Sequence, residues 1–377
     1  MKKILTIKKK LFSFFVLMFF LITNIETAQS QDIKITNLNL NRIAESLVGD
    51  KKNEFPKAEN GFLWNLEDAK TKKWQPQGIT GVTVDNKEFV IVSWYGRPQF
   101  TKDPLTHKKT IPTGTSMDYS DRGARISIVN ITKLTQEPSQ PNYRNILLID
   151  QNHETYHGMK ASSIVAINGK LHVTDTRKGK NVIRVFDLNK IQYLPEAKAV
   201  KSYRYILVEE YNYKTPIQPS FIAYDKDKKQ ILVGTSPQQL SDVTPNLIGW
   251  FTPPTASTAA AFTKNIHQIS VFKIPNQYKN IQGIASSKDA NNKQILWIST
   301  SSVKSERSIF YKMNIETSSS GATITNASSM KYPSGLKDVY WSATEKLWLL
   351  TVFPLDKTLI NPTRRVVFCI KKENILP

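Results

Sequence analysis

Five short polar phrases hold most of the side chains that could meet a ligand. They read Gln77-Gly78-Ile79, His157-Gly158-Met159, Gln218-Pro219-Ser220, Gln282-Gly283-Ile284 and Ser334-Gly335-Leu336. His157 is the ordinary general base among them, with Lys160 just past it and Asp175-Thr176-Arg177 closing the hairpin that follows. Trp94-Tyr95-Gly96-Arg97 stands in the corresponding place after the first phrase, and Lys337-Asp338 in the fifth. A base, several cations and aromatic surface suit the binding of a carboxylated sugar. They also suit proton abstraction beside a carboxylate whose charge Arg and Lys neutralise. The expected ligand-binding set is Gln77, Arg97, His157, Lys160, Arg177, Gln218, Gln282 and Lys337. No catalytic residue is assigned; the candidates are His157, Tyr95 and Arg177.

Other chemistries find less support. Glycosidases need two carboxylates about 5–10 Å apart, and the phrases carry none except Asp338. The five histidines, His107, His153, His157, His172 and His267, show no HExxH or other ligand spacing, so no metal is expected. There is no G-x-S-x-G, no P-loop and no G-x-G-x-x-G after a strand, and no cofactor is expected. Nucleic-acid modules are absent as well. His172 alternates with the core-facing positions of its strand and reads as structural.

The elements that must position these residues are hairpins. Each phrase leads through a polar turn to a β-branched or aromatic run: Phe89–Tyr95, Leu171–Thr176, Ile231–Thr235, Ile295–Thr300 and Leu347–Phe353. A hairpin returning every 52–80 residues points to radial repetition, hence an all-β protein built as a β-propeller. Five blades are expected, with six as the alternative. In such a ring the starts of the innermost strands face one mouth, which gathers the phrases there. Outer strands are expected over Tyr143–Asp150 and Tyr203–Glu209, and their sequences match: Tyr143-Arg144-Asn145-Ile146-Leu147-Leu148 against Tyr203-Arg204-Tyr205-Ile206-Leu207-Val208. The third blade is read as Phe221–Tyr224, Ile231–Thr235 and Gln268–Ile274, with Ser236–His267 an insertion packed over one face. Gly96–Gly123 is a second long insertion. The fourth blade adds Ile309–Ile315 and a weaker strand about Ala322–Asn326; Leu188–Glu196 is the one candidate helix. The last hairpin is followed by a single strand, Arg365–Ile370, and a spare strand near the N-terminus, with Ile33–Leu40 and Gly61–Leu66 as the candidates, is expected to close the ring.

Residues 1–30 read as a secretory signal peptide: a Lys-rich start, the apolar core Leu11–Ile22, and Ala28-Gln29-Ser30 before Gln31. Residues 31–73 form an N-terminal extension with the closing strand, and 74–377 the propeller. The expected location is therefore the periplasm or the medium, with no transmembrane segment in the mature chain and a monomeric state. Cys369, the single cysteine, is expected to be buried and inert. The formal charge is +21, of which the leader holds five Lys and one Glu, leaving about +17 on the mature chain. Such an excess favours polyanions, so an anionic glycan or cell-envelope component is the expected partner, and nucleic acid is not.

Trp94-Tyr95, Arg122–Val129, Tyr143–Leu148, His157-Gly158-Met159 and His172-Val173-Thr174-Asp175-Thr176 with Arg184-Val185-Phe186-Asp187 resemble a group of exported bacterial propeller-like proteins. The resemblance covers roughly residues 74–190, and the remainder through the repeat alone. More broadly the chain looks like NHL- and YncE-type propellers. It implies export and a propeller fold and brings no activity with it. Three functions follow as expectations: binding of an anionic ligand at the mouth, lyase action on a uronic-acid glycan, or a protein-binding scaffold. In the lyase, His157 or Tyr95 would be the base and Arg97, Arg177 or Lys337 would hold the uronate.

Overall fold

The hairpin turns carry the conformational signal the sequence announces. Asp85 and Asn86 sit at φ 49° and 60°, and Asn168 and Gly169 at 50° and 76°. Two consecutive left-handed residues make the tight turns whose twist matches a right-handed strand pair. Longer turns use an acidic or hydroxyl cap: Asp225 accepts from the amides of Asp227 and Lys228, Asp289 from Asn291 and Lys293, and Ser342 from Lys346. In each, a residue one or two places before the second strand, Lys229, Asn292 or Glu345, has positive φ.

The computed structural model describes residues 59–375, apart from 65, 72, 98–100, 103–108, 111–121, 132–142, 176–180, 236–245, 263–269, 275–279, 302–307, 319–320, 333–334, 353–364 and 372–374. The expected leader and most of the expected N-terminal extension lie outside them. The described chain opens with β1 (Asn60–Leu63) and a short helix α1 (Leu66–Lys70). The first blade is β2 (Trp74–Val84), β3 (Lys87–Gly96), β6 (Ala124–Asn130) and β7 (Tyr143–Ile149), with a small ladder of β4 (Thr101–Lys102) and β5 (Lys109–Thr110) between β3 and β6. The second is β8 (Ile164–Ile167), β9 (Lys170–Asp175), β10 (Val182–Asp187) and β12 (Tyr205–Lys214), preceded by the two-residue β11 (Gln192–Tyr193). The third is β13 (Phe221–Asp225), β14 (Gln230–Gly234), β15 (Asn246–Phe251) and β16 (Ser270–Ile274), with α2 (Ala259–Phe262) before β16. The fourth is β17 (Ile281–Lys288), β18 (Gln294–Thr300), β19 (Ser308–Ser318) and β20 (Gly321–Tyr332). The last is β21 (Leu336–Trp341), β22 (Lys346–Val352) and β23 (Arg365–Lys371), completed by β1, which pairs antiparallel with β23. Thus an N-terminal strand closes the ring.

The innermost strands touch in a cycle: β2 with β8, β8 with β13, β13 with β17, β17 with β21, and β21 with β2. The protein is an all-β β-propeller; the described strands form three four-stranded sheets, one larger sheet running from β2 to β8 through β7 and β12, and the β4–β5 ladder. Both faces of each blade are buried, so the middle strands read as nearly continuous apolar runs rather than alternating ones. Side chains that alternate along one strand serve different neighbours. Val90, Val92 and Trp94 pack towards β22 and β23, whereas Ile91 packs towards β8 and β9. Five apolar clusters result, one between each pair of adjacent blades. Cys369 is buried in the cluster at the closing seam.

Three expectations about elements need correction. The run Leu247–Phe251, assigned to an insertion, is the third strand of its blade, and Ser270–Ile274 is the fourth. The outermost part of the second blade is the later half of β12: Val182–Phe186 pairs with Glu209–Lys214. The earlier half, Ile206–Val208, instead pairs in parallel with Leu147–Ile149 of β7. The two matched segments therefore lie side by side, and β12 spans two blades. Leu188–Glu196 forms no continuous helix; single 3-10 turns at Leu188–Lys190 and Glu196–Lys198 flank β11.

Candidate ligand site at the mouth of the ring

Three of the innermost strands are interrupted at the same place. In β17 the register steps from Ile281↔Thr300 to Gly283↔Ser299, leaving Gln282 as an extra residue. In β21 it steps from Leu336↔Thr351 to Asp338↔Leu350, leaving Lys337. In β2 it steps from Pro76↔Trp94 to Ile79↔Val92, so that Gln77 and Gly78 face Ser93 alone. A bulge of this kind re-aims one side chain and bends its strand. The fifth-blade counterpart of Gln282 is thus Lys337 rather than Ser334, which lies outside the described residues. In the second and third blades the paired innermost strands begin only at Ile164 and Phe221, after His157 and Gln218.

One layer inward from the bulges the ring is tied by polar atoms. Asp338 accepts hydrogen bonds from the Ile79 amide (3.1 Å), the Ser163 hydroxyl (2.9 Å) and the Val339 amide (2.9 Å). Ser163 in turn accepts from the Ile222 amide at 3.2 Å. Ser93 donates to the Ala161 carbonyl at 2.8 Å, and Ser299 to the Lys337 carbonyl at 3.1 Å. Apart from the local bond to Val339, each joins different blades, and the Ser163–Asp338 bond reaches past the first blade from the second to the last. Space for this hub comes from glycine: a Cβ on Gly283 would lie 2.1 Å from Asp338 Oδ1, and one on Gly78 2.8 Å from Ser163 Cα. Burial pushes the Asp338 carboxyl well above the usual carboxylate range, so the hub takes the acid towards its neutral form.

Above the hub, the bulges bring Lys337 and Gln282 together, with Lys337 Nζ donating to Gln282 Oε1 at 3.1 Å. Lys160, from the loop between the first two blades, is close enough to repel it. Desolvation first, then the Lys160 charge, lowers the Lys337 ammonium to about 8, and desolvation lowers Lys160 as well. Both lysines are half-buried, and among the described residues neither forms an ion pair. Two desolvated ammonium groups side by side, with an amide between blades, are prepared for an anion. An anion supplies the charge that the protein withholds.

The remaining expected residues fall in three places. Gln77 is buried at its bulge on the same mouth. Arg97, half-buried, follows β3, and its amide donates to the Lys73 carbonyl at 2.8 Å. Arg365 caps the carbonyls of Asp68 and Thr71 nearby, and burial together with the Arg97 charge lowers its guanidinium to about 10. Tyr95 donates to Gln75 Oε1 at 3.1 Å. His157 and Gln218 are exposed in turns that precede the innermost strands, outside the bulge layer. The phrase thus marks the approach to the strand, whereas the bulge sets which residue stands out of the strand pairing. Arg177 lies outside the described residues. His172 is buried, with Nδ1 3.1 Å from the Tyr213 hydroxyl, and desolvation lowers it to about 3; it is structural.

Two buried ionic networks escaped the sequence reading. Arg184 donates to Asp175 (3.0 Å) and Glu209 (2.6 Å), and Tyr156 also donates to Glu209. The charge of Asp175 is thus met inside the second blade. At the closing seam, Asp68 of α1 accepts from Arg125, Tyr143 (2.6 Å) and Asn145 (3.0 Å), and the Arg125 guanidinium lies over the rings of Trp74 and Trp94. Pairing with Arg125 and these hydrogen bonds outweigh desolvation and hold the Asp68 carboxyl below its ordinary value.

No protein-family model matches the chain, and no curated protein matches it. Among solved structures, it is similar to a putative oxidoreductase (glucose dehydrogenase) from Thermus thermophilus, with 8% identity and a TM-score of 0.39, over 78% of this chain and 96% of that one. A second glucose dehydrogenase gives 9% identity and a TM-score of 0.38, over 78% and 81%. The intramolecular trans-sialidase from Ruminococcus gnavus gives 7% and 0.37, over 81% and 80%. Likenesses this distant say nothing of what the present chain binds or converts.

Proposed function

We propose that this protein is an exported β-propeller that binds an anionic ligand, an acidic glycan or cell-envelope component, at the mouth of its ring. The observation that carries the reading is the Lys160–Lys337 pair. Two ammonium groups share one half-buried site, Gln282 holds one of them, and no carboxylate among the described residues neutralises either. A structural role would call for a counter-charge, since unpaired buried cations cost stability. Export is supported by the leader-like residues 1–30, and a polyanionic partner by the formal charge of +21. Among the described residues no helix is long and apolar enough to cross a membrane.

The test is titration calorimetry of the protein with oligogalacturonate, with a neutral oligosaccharide of equal length as control. Saturable binding is expected for the acid, weakening at high salt and lost in Lys160→Ala and Lys337→Ala. Equal binding of the neutral sugar, or full affinity in both variants, would remove the mouth as the site.

A further inference from the structure

We propose that Lys337 is a nucleophilic amine that condenses with the carbonyl group of an aldehyde or 2-oxo acid bound at the mouth, forming an imine. The inference rests on the anion-binding reading above and adds a covalent step to it. Its geometric ground is the bulge in β21, which lifts the side chain of Lys337 out of the strand alternation and sets it beside Lys160 and Gln282. The backbone beneath is fixed, because Ser299 holds the Lys337 carbonyl at 3.1 Å and Asp338 is pinned by three hydrogen bonds. A lysine next to a second cation in a desolvated place is a recognised way to keep an amine neutral near physiological pH. The direction for Lys337 agrees, with burial first and Lys160 second lowering it to about 8.

The two lysines divide the work. Lys160 pairs with the carboxylate of the incoming acid, which places the neighbouring carbonyl against Lys337. The lone pair of neutral Nζ forms the new N–C bond while the carbonyl π electrons move to oxygen, and that oxygen takes a proton from the medium. The nitrogen releases a proton in turn, giving a carbinolamine. Departure of the hydroxyl with one more proton as water forms the C=N bond. One water leaves for each imine formed, and nothing is oxidised or reduced. Gln282 accepts from Nζ at 3.1 Å and so orients the amine.

The experiment uses glyoxylate as probe and sodium cyanoborohydride as trap, with intact-mass and peptide analysis of the whole protein at several pH values. The expected result is one carboxymethyl group that maps to Lys337. Its labelling at pH 7 should run roughly tenfold or more faster than at exposed lysines, because far more of this amine is neutral. Lys337→Arg should abolish it. Lys160→Met keeps the amine but removes its neighbouring cation, so the pH midpoint of labelling should rise and labelling at pH 7 should slow. If Lys337 reacts no faster than surface lysines while oligogalacturonate still binds, the covalent step is wrong and the anion site stands. If neither labelling nor binding occurs, both fall.

Discussion

The hydroxyl of Ser163 and the carboxyl of Asp338 meet at 2.9 Å although 175 residues separate them. Ser163 belongs to the second blade and Asp338 to the last, and through Ile79 and Ile222 the pair also ties in the first and third. The hub asks Asp338 for acceptor atoms rather than charge. Its pKa is raised in the fold, so the folded state holds the proton more tightly than the unfolded chain. The sign follows: above the unfolded value, near 3.9, its contribution to stability declines as pH rises. Asp338→Asn is therefore expected to gain relative to the natural protein as pH goes from 5 to 9. Asp338→Ala should lose about 2–4 kcal/mol at every pH, since it orphans a buried amide and hydroxyl. Denaturant melts at both pH values measure this; a pH-independent difference for the Asn variant would contradict it.

Gly283 is the complementary test of the same hub. A methyl group there would meet not only Asp338 Oδ1 at 2.1 Å but also Asp338 Cα at 2.6 Å, and backbone cannot rotate away. Gly283→Ala should cost about 3 kcal/mol or more, at the upper end of overpacking effects. Gly169→Ala is the contrast: a hairpin-turn position, where strain arises from φ +76° and not from crowding by backbone. A melting temperature for Gly283→Ala within a degree of the natural protein would mean that the innermost strands are free to spread.

At the closing seam, Asp68 is the counter-charge for Arg125, and its removal leaves the mutually repelling charges of Arg125 and Arg365 without it. Breaking a buried pair by removing one partner typically costs about 3–5 kcal/mol. Asp68→Ala should thus loosen the pairing of β1 with β23, and hydrogen exchange at Phe62 should rise ahead of exchange at Leu232. Uniform exchange across both blades would instead show that the ring opens as one unit.

His172 sets an acid limit. Its folded pKa, about 3, lies below the ordinary 6.5 because desolvation penalises the charged ring. Between those values the unfolded chain binds a proton that the fold refuses, so stability falls as pH drops from 6.5 towards 3. The loss attributable to this residue is on the order of a few kcal/mol. His172→Gln should flatten the decline in stability from pH 6.5 to 4; an unchanged slope would assign the acid sensitivity to other groups.

The ring itself was legible because turns and hydrophobic runs are local: Asp85-Asn86 and Asn168-Gly169 announce their hairpins without any tertiary information. The third strand of the third blade was not, since Leu247–Phe251 is read correctly only when its partners, Ile231 and Val271, are known. The site fared likewise. Lys160, Lys337, Gln77 and Gln282 stand out in the sequence by their types and their nearness to the phrases. His157 and Gln218 stand out equally in the sequence, and their separation from the bulges follows only from the pairing, because a bulge is a mismatch between two strands and no single strand records it. Asp338 stood out as the lone carboxylate near a phrase, yet its partners Ser163 and Ile79 lie far away in sequence.

Two experiments on Lys337 should give opposite pH profiles, and that opposition is the strictest demand on the site. An anion prefers the ammonium, so binding raises the pKa of Lys337 and takes up a proton when carried out above pH 8. Affinity for oligogalacturonate should then fall roughly tenfold between pH 7 and 9. Imine trapping by glyoxylate needs the neutral amine, and its rate should climb over the same interval. Lys337→Arg separates the two, because a guanidinium stays charged throughout: binding should survive and lose its pH dependence, while trapping should vanish. A natural protein whose affinity is flat from pH 7 to 9 would place Lys337 outside the ligand's reach, whatever its reactivity.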